Sequence, residues 1–245
     1  MWLIKSSIGR KVVMSVTGIA LILFLTFHAC MNVVALFSAE AYNAICAFLG
    51  ANWYAVVATA ALGALVALHF VFAIILTLQN RKARGASGYA VSTKVNAGTV
   101  EWSSKNMFVL GLIVCLGLLL HLYNFWYNMM FAEIVGMEGA LSPTDGYGFI
   151  QQTFSCPLYA GLYIVWLAAL WFHLSHGFWS AFQTLGANGK TWLKRLKVIG
   201  IVWVTVVILM FVAVVVAFAT GLVGCCGGDC GDACQKAVEA CGATC

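Results

Sequence analysis

The chain has 245 residues, 63% of them hydrophobic and only 9% charged, and its mean hydropathy of +0.96 lies far outside the balance of a soluble domain. Composition therefore excludes an ordinary soluble enzyme and predicts an all-α integral membrane protein. The net charge of +5 is a topology signal first; nothing in it suggests nucleic acid, while a basic face could dock an acidic soluble partner or anionic lipid.

Five apolar runs are long enough to cross about 30 Å of hydrocarbon as helices. They cover residues 12 to 37, 54 to 79, 107 to 131, 157 to 184 and 198 to 222, and no period-2 barrel pattern competes with them. Residues 1 to 222 thus form one five-helix domain, followed by a tail from 223 to 245. Lys5, Arg10 and Lys11 precede the first run, but it is too long for a signal-peptide core and no A-x-A site with a polar mature domain follows, so it is expected to remain a helix.

The polar connection NRKARGASGYAVSTKVNAGTVEWSSK, residues 80 to 105, is Gly- and Ser-rich and reads as part loop, part surface helix. The connection before the fourth run holds both prolines of the chain, and its Ser155-Cys156-Pro157 reads as a helix cap with Pro in the first turn. Twelve of the thirteen Lys and Arg residues share one side of this arrangement. That side is expected to be cytoplasmic, with the N-terminus inside and the C-terminus outside. The opposite loops carry Glu40, Glu133, Glu138 and Asp145 and no basic residue. No repeat and no nucleotide-binding glycine pattern occurs, so any chemistry must sit in the membrane.

All five histidines fall inside predicted spans: His28 in the first, His69 in the second, His121 in the third, and His173 with His176 in the fourth. An ionisable side chain at membrane depth is costly and is a functional candidate by default, although a single one serves equally well as helix–helix glue. The pattern across spans is more specific. At about 1.5 Å per residue from the basic boundary, His28 and His121 lie roughly 25 and 24 Å in, whereas His69 and His176 lie roughly 18 and 15 Å in. Two pairs at two levels, each drawn from two helices, are what a four-helix bundle needs to hold two haems by bis-imidazole ligation.

One zinc or copper ion could not bridge the two levels, and the scarcity of intramembrane Asp and Glu argues against a dedicated proton pump. Gly18, Gly63, Gly111, Gly117, Gly161 and Gly177 would admit a flat group, although each serves helix packing equally well. For haem propionates, Ser15 and Arg10 in the first span and Lys190 after the fourth are suitably placed at the inner end, Ser15 foremost.

The stretches GRKVVMSVTGIALILFLTFHACMNV (9 to 33) and HLSHGFWSAFQTLG (173 to 186), with one histidine level per helix over the first four spans, resemble the cytochrome b subunit of succinate:quinone and quinol:fumarate oxidoreductases, in its single-subunit, five-helix, two-haem form. The resemblance covers residues 5 to 222. It implies a membrane anchor in a bacterial inner membrane with two haems b and a menaquinone or menaquinol site, bound on its cytoplasmic face to an iron–sulfur subunit and a flavoprotein subunit that carries FAD. Succinate and fumarate chemistry would take place on the flavoprotein, and a dimer of the whole complex is compatible with it.

By position, the resemblance implies His69 and His176 as ligands of the haem nearer the iron–sulfur subunit and His28 and His121 as ligands of the outer one. His173 is then expected to pack on a haem edge, and is the alternative ligand. Some fumarate reductases of this type carry a Glu two residues before the fourth-helix ligand; Leu174 stands there in this chain, which removes that carboxylate from any proton path. Glu40, the acid of the first outer loop, is the candidate proton acceptor for quinol oxidation.

The resemblance does not account for the tail, which holds Cys225, Cys226, Cys230, Cys234, Cys241 and Cys245. On the outer side disulfides are permitted, and a small stapled cap is expected, with a thiolate metal or iron–sulfur site as the sharper alternative. Cys30, Cys46, Cys115 and Cys156 read as apolar fillers, of which Cys46 and Cys156 face outward and could pair. Two other functional readings stand beside the anchor: a free-standing di-haem cytochrome with another partner, and a haem-free scaffold or transporter whose histidines only join helices.

Overall fold

A computed structural model describes residues 6–84, 102–137 and 139–223. The expected cysteine-rich cap, Lys5, Glu138 and much of the 80 to 105 connection lie outside the described residues. Every regular element among the described residues is helical. Five stretches are long and apolar enough to span a membrane: Ser7–Leu36, Trp53–Ala83, Met107–Val135, Pro157–Thr184 and Lys190–Ala219. The protein is a multi-pass, all-α membrane protein.

In chain order the helices are α1 (Ser7–Val33), α2 (Ala39–Phe48), α3 (Trp53–Arg84), α4 (Trp102–Lys105), α5 (Met107–His121), α6 (Ala132–Val135), α7 (Gly146–Phe154), α8 (Pro157–Thr184) and α9 (Lys190–Ala219). A 3-10 turn, Val34–Leu36, extends α1, and a π-helical segment, Leu122–Phe131, joins α5 to α6.

The span boundaries differ from the hydropathy reading in an instructive direction. The first helix starts at Ser7 and the last at Lys190, well before their apolar runs, because Arg and Lys are good helix formers and carry the helix past the hydrocarbon edge. Ser6 caps the start of α1, its hydroxyl accepting from Gly9 N at 2.9 Å. Two glycines with positive φ stop helices: Gly136 (φ 68°) after α6 and Gly186 (φ 106°) after α8. Beyond each, the chain folds back to bond a carbonyl five residues earlier, Met137 N to Ala132 O at 2.9 Å and Ala187 N to Phe182 O at 3.0 Å.

The connections that carry Glu40 and Asp145, read above as loops, contain helices α2 and α7. Each has a side-chain cap: Ser38 accepts from Ala41 N and Asp145 from Gly148 N. Ser155 is not the cap of α8. Its hydroxyl donates back to Gln151 O at 2.7 Å, closing α7, while the Cys156 carbonyl accepts the first α8 bond, from Ala160 N.

The chain divides into two compact units. The first takes in residues 1–24, 60–112 and 170–204, the second 25–59, 113–169 and 205–245. Within the first unit Thr17, Phe72, Leu110, Ala181 and Val204 are buried, and Gly200 lies so close to the Phe178 ring that a methyl group there would overlap it. Within the second, Ala29, Ile150, Phe154, Tyr163, Val214 and Phe218 are buried. A polar clasp also joins α2 to the start of α7: Asn43 Nδ2 donates to Asp145 Oδ1 at 2.8 Å, and Tyr147 N donates to Asn43 Oδ1 at 2.8 Å.

Candidate functional site: two histidine pairs

In the first unit, α3 and α8 bring the imidazoles of His69 and His173 together, with ring centres 6.4 Å apart and planes at 63°. Both rings lie against glycines. A Cβ on Gly18 would stand 3.4 Å from His69 Cε1, and one on Gly111 3.4 Å from His173 Cε1. These two glycines of the sequence pattern thus receive imidazole edges.

The Thr17 hydroxyl lies 3.1 Å from His69 Nδ1 and within 2.9 and 3.1 Å of the carbonyls of Val13 and Met14. With its one hydrogen turned to either carbonyl, Thr17 is an acceptor for Nδ1–H, and in that tautomer Nε2 carries the lone pair. His173 Nδ1 is buried with no hydrogen-bond partner.

His176 has a different setting. Its ring packs edge-on to Trp179, centre to centre 4.8 Å, and the Lys197 ammonium sits 4.2 Å over that same indole. Across from His69, the structure places His173. Of the residues expected at the inner end, Ser15 is buried and Lys190 is exposed as the first residue of α9. With the Gln79 amide turned so that its oxygen faces Arg10, both terminal guanidinium nitrogens donate to it at 3.2 Å.

In the second unit, α1 and α5 bring His28 and His121 together at 5.7 Å between ring centres, planes at 81°. Aromatic rings enclose this pair: Phe211 lies 5.7 Å from His28, and Phe125, Tyr163 and Trp166 lie 5.1, 6.2 and 5.7 Å from His121. Gly117 makes room for Trp166, since any Cβ there would overlap the indole. The close approach lets Trp166 Nε1 donate to Val114 O at 3.0 Å. His121 Nδ1, like His173 Nδ1, is buried without a partner.

A polar chain leads outward from His28. Asn32 Nδ2 donates to the His28 carbonyl at 2.8 Å, and Tyr42 OH donates to Asn32 Oδ1 at 3.1 Å. Tyr42 is buried on α2 and bonds the Cys46 thiol, which also meets the Gly146 backbone. Burial raises the Tyr42 phenol above its ordinary range and pushes the Cys46 thiol up to about 11, so both are protonated at neutral pH. Glu40 is exposed in the first turn of α2. Glu133 instead accepts from Ala51 N at 2.9 Å.

Beside His121 the π segment carries Asn124, buried, with its amide donating to Tyr163 OH at 3.3 Å. Asn124 also lines a cleft of about 420 Å³ together with Asn128, Phe149, Gln152, Thr153 and Tyr159. Sequence reasoning passed over Asn124 and Thr17. The available signal for Asn124 was an amide inside an apolar span, which is costly unless bonded. For Thr17 no local signal exists, because its partner lies 52 residues away.

Among the described residues no group of three or more His, Cys, Asp or Glu side chains is placed to hold a metal ion. A bis-imidazole haem takes only two protein donors per iron. Two such rings on one iron have centres roughly 6.2 Å apart, from a metal–nitrogen bond of about 2.0 Å and about 1.1 Å from nitrogen to ring centre on each side. The separations of 6.4 and 5.7 Å are of that size, and the two buried ring nitrogens without hydrogen-bond partners are unmet polar groups of the kind that mark a missing partner at a functional site. The residues present fit the group.

Fold and site together define a class: a multi-pass helical membrane protein with two half-buried histidine pairs, each pair on two different helices. No protein-family model, curated protein or solved structure matches the chain.

Proposed function

We propose that the chain is a di-haem cytochrome b that anchors a quinol:fumarate or succinate:quinone oxidoreductase in the membrane. In that reading it carries electrons between membrane quinol and an iron–sulfur subunit, with dicarboxylate chemistry on a separate flavoprotein. The observation that carries the proposal is the pairing itself. Each compact unit brings two imidazoles from separate helices together, with ring centres 6.4 and 5.7 Å apart, close to the separation of two rings on one hexacoordinate iron.

His28 with His121 would hold one haem. For the other we assign His69 with His173, because His176 is engaged on Trp179 while His173 faces His69. When bound, the haems supply reversible one-electron chemistry. This chain's residues then have separable tasks. Thr17 holds His69 in the tautomer whose Nε2 can ligate, and Asn32 and Tyr42 fix the backbone at His28.

The cleft lined by Asn124 suits a quinol head group: it is partly apolar, and Asn124, Gln152 and Tyr159 offer partners for hydroxyl or carbonyl oxygens. The basic residues of α9 and of the end of α3, Lys194, Arg195, Arg81 and Lys82, would face the cytoplasmic partners, with the N-terminus inside.

A second reading has its own observation. The Thr17–His69 bond is what interhelical glue looks like, as a haem-free scaffold would use it. A dithionite-reduced minus oxidised spectrum with pyridine haemochrome quantification separates the two. The anchor predicts about two haems b per chain, falling to about one in His69→Ala and in His121→Ala; His173→Ala should lose haem and His176→Ala keep it. A colourless protein that tolerates all four substitutions would leave the scaffold.

A further inference from the structure

The first unit carries a charge imbalance that haem ligation does not use. Of the residues it comprises, twelve are Lys or Arg and one, Glu101, is acidic. Most of its counter-charge therefore comes from outside the unit. A basic membrane edge can meet an acidic protein or an anionic lipid, and the start of α9 has the form that suits the lipid. We infer that Lys194, Arg195 and Trp192 make a headgroup site for an anionic phospholipid whose acyl chains lie along Val198 and Val202.

Contacts within this unit fix the inward face of α9. Gly200 sits against the Phe178 ring, Val204 is buried, and the Lys197 ammonium lies over the Trp179 indole. Trp192, Lys194 and Arg195 lie off that face and are exposed. Successive residues of a helix turn by about 100°, so Val198 stands about 40° from Lys194 and Val202 about 20° from Arg195, both inside the arc between the two cations. These valines are 63% and 59% exposed. An open apolar strip thus begins directly beyond the basic pair.

Helical side chains lean toward the N-terminus, and α9 enters its apolar run from the basic end. Both cationic groups therefore lean away from hydrocarbon toward headgroup level, while their stems cover the first apolar turn. The Arg195 guanidinium lies over the Trp192 ring at 5.5 Å from its centre, a stacking that steadies its planar fork for a phosphodiester. Tryptophan is itself enriched at that depth. An acidic protein surface would answer the charges and leave the valines unmatched; a lipid supplies the anion and the apolar chain in one molecule.

The test is native mass spectrometry of the full chain, with any subunits that purify with it, titrated in detergent with phosphatidylglycerol or phosphatidylcholine. The expected result is tighter binding of phosphatidylglycerol, weakened roughly thirtyfold in Lys194→Gln/Arg195→Gln, the equivalent of about 1 kcal/mol for each basic residue. Arg81→Gln/Lys82→Gln removes the same charge elsewhere in the unit and should keep the preference. No preference in the unaltered chain, an equal loss in both double variants, or displacement of the lipid by glycerol 3-phosphate would each overturn the inference. So would unchanged lipid binding with loss of a soluble subunit, the mark of a protein interface. Should the first double variant fail to fold, a photoactivatable phosphatidylglycerol on the unaltered chain reads the site directly: label is expected between residues 190 and 203, and label confined to other segments overturns the assignment. Haem content does not enter.

Discussion

The two histidine pairs are built from different materials. In the first unit the imidazoles touch backbone: glycine on both sides and a threonine hydroxyl that orients His69. In the second they are lodged among Phe125, Tyr163, Trp166 and Phe211, and the polar control lies further out, in the Asn32–Tyr42 chain. One pair is therefore positioned by hydrogen bonding and close backbone approach, the other by ring packing. The same side chain in two surroundings should respond to different substitutions.

The largest contrast is expected at the glycines. Gly117→Val drives branched carbons into the Trp166 indole and should lower the stability of the protein in detergent by at least the ~1–3 kcal/mol typical of overpacking. Gly18→Ala and Gly111→Ala meet an imidazole carbon at 3.4 Å, a contact relieved by a few tenths of an ångström, and should cost well under that. Thermal melts of the three variants rank them; an equal loss would erase the distinction between the pairs.

Next in size is Thr17→Val, which keeps the shape and removes the hydroxyl. Leaving His69 Nδ1–H without its acceptor should cost about 1–3 kcal/mol, and Thr17→Ser should restore it. If haem is present, the valine variant should shift the midpoint potential of one centre and leave the other in place. A shift of both would show that Thr17 does not act through His69 alone.

The smallest effect is one of pH and belongs to the second unit. The Cys46 thiol is raised from an ordinary 9 to about 11 by burial, so the folded state holds its proton more tightly than the unfolded one. The stability linked to that proton is complete below pH 9 and is lost as pH rises from about 9 to about 11. Denaturation curves across that window should flatten in Cys46→Ala; an unchanged slope would move the effect to other groups, Tyr42 first.

How far these features were legible in the sequence depends on how far apart their partners lie. The five spans follow from composition alone, and their internal boundaries from glycine and charge. That His28 belongs with His121 follows from equal distances to the basic boundary. The choice between His173 and His176 does not: three residues apart, they differ by about 60° around one helix, and only the rotation of α8 against α3 decides which faces His69. Helices α2 and α7 had visible caps in Ser38 and Asp145, but at ten and nine residues they are too short for a hydropathy window tuned to membrane crossing.

The π-helical stretch from Leu122 to Phe131 sets a constraint on insertion and deletion. Such a segment accommodates its residues with i→i+5 bonds where an α-helix uses i→i+4, and here it stacks Tyr123 on Tyr127 and Tyr127 on Phe131 at 13° and 17°. Removing one codon within it would force the ring stack and the approach to α6 to be rebuilt on i→i+4 bonds. Asn124, ahead of most such deletions, would keep its place, but Glu133 would swing away from Ala51 N. This part of the gene should therefore tolerate substitution far better than a change of length.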